Sequence, residues 1–460
     1  MRFDKAGYYI LDETTRGQPF PAGAGGCAQF RIPGIITLDD GDYFAVCDAR
    51  WNDAKSDYGG IDTIFSVSGD GGKTWRPGYA AMFPDTDGTP SDPHDATCCI
   101  DPCVVQDGDS VIHILVNMHP TGITPGLVYP NTGTGFIKAD GRKRLAVTPD
   151  HADADTPPSL LPSDKLFYVG DYSGGFAPVL KAGGEETGYA VDEYFNIYET
   201  VGGRPEPLCQ DRIGSEEKVR QNLFYRDSRL HVYNTTYTLS LTSKDKGATW
   251  NAEIISDKIK REDEAAFISS PGNGTLTSDG TVLLPFYRND GAADRSASVI
   301  VYTRDGFKTF HRTPPVPAND AVPWSGECKA VELSDRLWRL FVRNGTGYIC
   351  YADFDVERFE WLDPVRTDVK VHSECDFSAI KSGNEILVSY PAGAGPESRG
   401  RVNGRLYTFA LDESFDMELV GDEQIEEGAF SYSCLASDGE KLNILVDTCE
   451  KGRVFFRRIR

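Results

Sequence analysis

An arginine stands in the middle of CAQFRIPGIITL, between an apolar start and an apolar strand that both favour burial. Taken alone, Arg31 reads as a surface side chain at the mouth of a strand, its head snorkelling to water. It gains chemical meaning only if further arginines and reaction-capable acids stand at matching places along the chain, because planar guanidinium forks match carboxylates and stay charged. Other reactive residue types form no such constellation. The seven histidines show no HExxH spacing, so a zinc hydrolase is not indicated. None of the eleven cysteines falls in a CxxC pair. The densest group, CCIDPC with Cys98, Cys99 and Cys103, would put adjacent thiols on opposite faces of a strand, which suits a metal poorly. Buried reduced thiols and no metal site are expected. DHADAD, with Asp150, Asp153 and Asp155, lacks the glycine and terminal glutamate of an EF-hand loop and reads as a solvated acidic loop.

Charge narrows the partners. The 460 residues carry 47 Lys+Arg against 70 Asp+Glu, a net of -23, which argues against nucleic acid or an anionic membrane surface. A small anion would need a local cationic pocket, which an acidic protein can hold because salt limits the outer charges to a Debye length of roughly 8 Å. No run of 18 apolar residues offers a membrane span. The start MRFDKAGYYILDE has no apolar h-region, and with the unpaired cysteines this favours a cytoplasmic location, the alternative being a secreted chain whose signal has been removed.

The elements that must position any site are strands. DYFAVCDA, IDTIFSVS, VIHILVNM, TVLLPFYR, ASVIVYTR, LWRLFVRN, EILVSYPA, RLYTFAL and KLNILVD are short, rich in β-branched and aromatic residues, and separated by Gly, Asp and Asn turns. Such spacing means a sandwich, a barrel or a propeller. A repeat decides among them. SGDGGKTW (Ser68 to Trp75) recurs as SKDKGATW (Ser243 to Trp250) and, degenerately, as TRDGFKTF (Thr303 to Phe310). Each predicts a hairpin turn in which Asp accepts backbone N–H bonds, Gly supplies positive φ and the closing aromatic packs on the sheet. This is the Asp-box pattern S-x-D-x-G-x-T-W.

From Ser243 to Thr303 is 60 residues, about one four-stranded propeller blade, whereas Ser68 to Ser243 is 175, too far for one. The excess lies in residues 119–228, where PTGITPGLVYPNTGTG and TPPSLLPSD break the strand rhythm. The expected fold is therefore all-β, a six-bladed propeller made of residues 1–118 and 229–460 with a partly folded insertion, 119–228, in the first half of the chain. Asp boxes are structural and by themselves say nothing of activity.

FRIP followed by Asp boxes resembles the bacterial-type sialidase (neuraminidase) family, and the likeness runs from about Gln29 to the C-terminus apart from the insertion. DARWNDAKSDYGGIDT is similar to that family's first-blade stretch and implies a second arginine, Arg50, and an acid/base aspartate, Asp57. GECKAVELSDRLWRLFVRNGTG resembles its glutamate segment, implying Glu327 and Arg343. RVNG implies the third clamp arginine, Arg401, with Arg399 of ESRGRVNG as a rival, and AFSYSCL implies the tyrosine nucleophile, Tyr432. Asp101 in CIDPCVVQD is implied as a further substrate contact, on the N-acyl or glycerol side of the sugar.

What the resemblance implies is chemically coherent. Sialic acid carries a carboxylate on its anomeric carbon, so Arg31, Arg343 and Arg401 would hold an anion beside the bond to be broken. A carboxylate nucleophile would meet that anion with repulsion, and sialidases use tyrosine instead. A phenol of pKa about 10 needs a base. Glu327 would supply it. Asp57 would protonate the leaving oxygen and then activate water, giving retention. The implied partners are sialylated glycans, and no cofactor is implied. Singly, Tyr432 would pass for a core or rim aromatic and Glu327 for a turn residue; six residues in family order with matching contexts reverse that reading.

Overall fold

The computed structural model describes residues 3–51, 57, 60–84, 97–120, 132–211, 216–289, 296–393, 400–448 and 452–460. Strands dominate, most of them paired antiparallel with near neighbours in the chain. Four sheets stand by themselves as up-and-down units: one built on Ala266–Ser269, Val282–Asn289 and Ala297–Thr303, one on Cys328–Ser334, Leu337–Val342 and Tyr348–Asp355, one on Ser378–Ser382, Glu385–Gly393, Val402–Leu411 and Met417–Ala429, and one on Ser433–Ser437, Leu442–Asp447 and Val454–Arg458. The earlier strands form one larger sheet in which Gln29–Thr37, Tyr43–Arg50, Ile61–Ser68 and Thr74–Met82 join Cys98–Gln106, Ile112–His119, Tyr237–Ser243 and Asn251–Ile254. The arrangement is propeller-like.

Its sequence logic is burial on both faces. Strands such as IDTIFSVS are buried along their whole length, because each sheet is sandwiched between its neighbours. Leu283 and Ile300 pack with Cys328 and Leu340, Phe341 and Tyr351 with Phe377 and Tyr390, and Leu387 and Leu406 with Leu435 and Ile444. Cys434 and Leu445 of the last sheet then pack against Phe30, Ile35, Tyr43 and Trp75 of the first strands, which brings the two chain ends together. Each fully buried side chain of this size contributes about 1.5–3 kcal/mol.

All three Asp boxes close as hairpin turns. Asp70, Asp245 and Asp305 each accept the backbone N–H and the hydroxyl of the threonine four residues on, at 2.9 and 2.7, 2.8 and 2.6, and 2.9 and 2.6 Å. The closing Trp75 and Trp250 are buried. Gly72 and Gly247 hold φ of 86° and 88°, and in the degenerate third copy Phe307 takes the same place at φ 64°. Phe307 is held there by stacking on the His113 ring, centroids 3.6 Å apart.

Between Ile112–His119 and Tyr237–Ser243 lies a separate eight-stranded sheet running from Phe136–Ala139 to Arg204–Pro207, with His231–Val232 on its edge. Its core is continuous with that of the first strands: Val147, Val179, Tyr194 and Phe224 cluster with Ala80, Phe83, Val116 and Met118, and the Tyr194 hydroxyl donates to the Ala80 carbonyl at 2.9 Å. Register shows where it emerges. The pairs Gln29↔Arg50, Arg50↔Ile61, Ile61↔Cys98 and Cys98↔His119 line up across the sheet, so the chain leaves this layer at the edge that carries Arg31, Arg50 and Asp101.

Candidate active site

The chemistry-bearing residues sit at or beside strand ends, Arg31, Asp101, Glu327, Arg401 and Tyr432 at starts and Arg50 and Arg343 at finishes, and two of the starts share one device. In FRIPG and CIDPC a residue before proline takes positive φ, Ile32 at 58° and Asp101 at 62°, and the pairing register slips there, between Arg31 and Gly34 and between Ile100 and Cys103. A β-branched residue in this region is strained by about 1–3 kcal/mol, which the surrounding packing must offset. The slip lets the side chain before or at the kink leave the pleat. Gly34 is required beside it, since a Cβ there would lie 2.4 Å from the Gly272 carbonyl oxygen. Gly404 of RVNG is required likewise, since a Cβ would lie 2.0 Å from the Phe430 ring next to Tyr432.

Tyr432 is the centre. It is 8% exposed, and its hydroxyl donates to Glu327 Oε1 at 2.7 Å. Arg343 Nη1 donates to the same phenolic oxygen at 3.0 Å and also bonds the other oxygen of Glu327. The guanidinium carbons of Arg31 and Arg401 lie 5.7 and 5.5 Å from the Tyr432 ring centroid. Three guanidinium groups from distant parts of the chain therefore surround one phenol. Arg31 is oriented by Asp447, which accepts its Nε at 2.9 Å, and Arg401 by Ser431, at 3.4 Å.

Main-chain pairing sets these positions. Arg343 N donates to Glu327 O at 2.7 Å and Gly326 N to Arg343 O at 3.0 Å, so a hairpin folds back to put residues 327 and 343 side by side. Phe430 N donates to Arg401 O at 2.9 Å, and Asp447 N to Tyr432 O at 2.8 Å.

A second group adjoins the first. Arg50 Nη1 donates to Asp57 Oδ1 at 2.9 Å, while Arg50 Nη2 and Nε bond Asp48 Oδ2 at 2.8 and 3.2 Å. The other oxygen of Asp48 accepts the Asp101 backbone N–H at 3.1 Å. Asp57 is exposed and Asp101 buried. Arg31 and Asp48 are cross-strand partners, which ties this group to the Tyr432 group. The structure thus brings together all eight sequence-predicted residues. Arg399, the rival of Arg401, lies outside the described residues.

Electrostatics divide the acids. Burial pushes Glu327 up, but the charge and hydrogen bond of Arg343, the Tyr432 hydroxyl and Lys329 outweigh it and hold the carboxyl below the usual glutamate range. It is ionised at neutral pH, as a base must be. Tyr432 is driven well above the ordinary phenol value by burial and then by the Glu327 charge, with Arg343 and Arg401 opposing. Asp101 is pushed well up by burial, then by Asp48, Glu327 and Asp57. Burial raises Asp48 to about 7 against the pull of Arg50. A phenol bonded to an ionised carboxylate, ringed by cations, can attack an electrophile and pass its proton to the carboxylate in the same step.

Sequence reading missed the residues that hold the functional ones in place. Asp48 precedes Arg50 by two, on the same face of the strand, and that spacing was a usable signal. Asp447, closing the apolar run LNILVD, is 0% exposed and was detectable only as a charge where none is favoured. Lys329 and Asp376 form a fully buried pair at 2.8 Å behind Glu327, with Lys329 also donating to the Pro271 carbonyl at 2.7 Å. Of the cysteines, Cys27, Cys47, Cys98, Cys99, Cys103, Cys328, Cys350, Cys375 and Cys434 are buried and Cys209 is exposed. Among the described residues no group of three His, Cys, Asp or Glu could hold a metal ion, and no helix is long and apolar enough to cross a membrane.

The geometry has counterparts. Residues 219–444 match the family model described as BNR repeat-like domain. An anhydrosialidase of Macrobdella decora is 24% identical over 89% of this chain, and sialidase B of Streptococcus pneumoniae 23% identical over 88%; the chain spans 57% and 59% of those two proteins. The crystal structure of the intramolecular trans-sialidase from Ruminococcus gnavus with oseltamivir carboxylate superposes with a TM-score of 0.79 at 22% identity, covering 96% of each chain. This chain is similar in sequence to sialidases over most of its length and similar in fold to a trans-sialidase. The relatives it matches are named sialidases, which are glycoside hydrolases, and the chain shares the strand-rich, propeller-like fold of the superposed trans-sialidase.

Proposed function

We propose that the chain is a retaining exo-α-sialidase that hydrolyses terminal sialic acid from glycoconjugates through a tyrosyl-sialoside intermediate. It does so on a six-bladed propeller, residues 1–118 and 229–460, with the 119–228 insertion flanking the active site. The observation that carries the reading is the Tyr432 hydroxyl held 2.7 Å from Glu327 Oε1 inside a ring of three arginines. Arg31, Arg343 and Arg401 bind the sugar carboxylate. The Tyr432 oxygen forms a bond to the anomeric carbon as its proton passes to Glu327 and the glycosidic oxygen leaves with a proton from Asp57. Asp57 then removes a proton from water, which releases the sugar and returns Tyr432 its hydrogen through Glu327. Arg50 and Asp101 bind the far side of the ring. A neutral phenol avoids the repulsion that a second carboxylate would suffer beside the substrate anion.

A second reading replaces water with a hydroxyl of the sugar itself, making the enzyme an intramolecular trans-sialidase. The names of two relatives, an anhydrosialidase and an intramolecular trans-sialidase, favour it. A non-catalytic sialoglycan-binding propeller is less favoured, because recognition alone needs no base on a buried phenol. Incubation with α2,3- and α2,6-sialyllactose, with mass analysis of the released sugar, tests all three. Free sialic acid supports hydrolysis, a product lighter by one water supports the intramolecular route, and tight binding with no release refutes both enzymes.

A further inference from the structure

Beside the Glu327 loop lies a cavity of about 340 Å³ whose walls include Arg288, Ser296, Pro315, Pro317, Pro323 and Trp324. It shares a wall with the active site. Ser325 N donates to Ser296 O at 3.3 Å and Gly326 N to Arg343 O at 3.0 Å, so the backbone lining the cavity is the backbone that carries Glu327 and Arg343. Trp324 wedges against this loop, its ring 3.5 Å from where a Cβ on Gly326 would lie and its Nε1 3.2 Å from where one on Gly345 would lie.

Arg288 is the only charged side chain lining the cavity among the described residues. Its Nε is buried with no hydrogen-bond partner, and among the described residues its guanidinium meets no carboxylate. Five other buried or half-buried arginines have a carboxylate: Arg31 has Asp447, Arg50 has Asp48, Arg312 has Glu264, Arg339 has Asp353 and Arg343 has Glu327. In a chain with 70 acidic residues against 47 basic ones, a half-buried arginine facing a cavity without a counterion among the described residues is poised for an anion from outside. The rest of the wall is flat and apolar. Trp324 and the prolines suit the C–H face of a pyranose, and the volume, at the low end of ligand sites of roughly 300–1,000 Å³, fits one sugar unit.

We propose that this cavity is a second sugar subsite that takes an acidic unit of the glycan, with Arg288 holding its carboxylate or sulfate and Trp324 its ring. The proposal rests on the sialidase reading for what it does to catalysis. It makes the enzyme selective for glycans with a second negative charge near the cleaved residue, such as an α2,8-linked second sialic acid or a sulfated galactose.

The test compares kcat/KM of wild type, Arg288→Gln and Trp324→Leu on 3'-sialyllactose, its α2,8-disialyl extension and its sulfated form. Wild type is expected to favour one acidic substrate by about tenfold or more, chiefly in KM, the worth of one charge-assisted hydrogen-bonded contact. Arg288→Gln should erase that advantage while leaving 3'-sialyllactose within about twofold, and whichever of the two acidic substrates benefits identifies the anion. Equal rates on all three substrates in wild type, or an advantage that survives Arg288→Gln, overturns the proposal. If wild type cleaves no sialoside, the sialidase reading fails, and the cavity is judged by calorimetric titration with 3'-sulfolactose. Binding weakened about tenfold in Arg288→Gln then supports the subsite, and binding unchanged or absent overturns it.

Discussion

Replacing Glu327 by Gln removes one charge and almost no volume, which makes it the sharpest probe of the reaction. On the proposed mechanism Tyr432, whose hydroxyl donates to Glu327 Oε1 at 2.7 Å, gives its proton to that carboxylate. An amide has no basic site for that proton, and its NH₂ would donate to the phenolic oxygen instead. Loss of a positioned general base costs about 10²–10⁴ in rate, equivalent to ~2.7–5.5 kcal/mol at 1.36 kcal/mol per decade. Stability falls as well. Arg343 loses its carboxylate, and uncompensated buried charges cost roughly 3–5 kcal/mol, with the low end expected because the Arg343 side chain keeps 25% exposure. The two effects separate experimentally. Single-turnover cleavage of an aryl sialoside reads the chemical step, and thermal unfolding reads the fold. Two pH readings complete the test. Because Glu327 titrates below the usual glutamate range, wild-type activity should be lost as pH falls through that depressed value, and this acid limb should vanish in Glu327→Gln. The phenol should ionise more easily in the variant, since the Glu327 charge is one of the forces holding its pKa up. A loss under tenfold at the chemical step in a folded variant, or an acid limb that persists, would refute Glu327 as the base.

Asp57→Ala should depress cleavage of sialyllactose by about 10²–10⁴ but cleavage of an activated aryl sialoside far less, because a good leaving group needs no acid; equal single-turnover losses would reassign the role. Arg401→Ala should weaken binding of a sialic acid analogue by about 2–5 kcal/mol, read by calorimetry, and unchanged binding would move the clamp to Arg399. Asp376→Asn should destabilise the fold by about 3–5 kcal/mol by stranding Lys329, whereas Asp376→Leu with Lys329→Met should cost much less, both read by denaturant unfolding. Asp48 and Asp376 both have pKa values raised to about 7, so between pH 4 and 7 these two groups bind more protons in the native state than in the unfolded chain, while His119 and His231, lowered to about 3 and about 4, do the reverse. Relative to Asp48→Asn, wild-type stability should therefore fall as pH rises through that window and level off above it, and a difference that stays constant from pH 4 to 7 would contradict the assigned shift.

The sequence by itself determined what depends on neighbours in the chain. Strand runs and Asp-box turns are local: Asp70 reaches Thr74, Asp245 reaches Thr249 and Asp305 reaches Thr309 within four residues, and the bonding capacity of each side chain dictates the turn. Residues 31, 50, 57, 101, 327, 343, 401 and 432 could be collected because each stands in a short recognisable context. Tertiary structure alone decided how they meet and what supports them. Arg31 and Asp447 are separated by 416 positions, and Tyr432 and Glu327 by 105, and no periodicity connects such pairs until the sheets stack side by side. The same holds for the partner of Lys329, for Asp48 under the Asp101 backbone, and for Arg288, whose buried Nε has no hydrogen-bond partner among the described residues. Whether a charge is paired, buried or waiting for a ligand is a property of the space around it, and that space is made by strands from opposite ends of the chain.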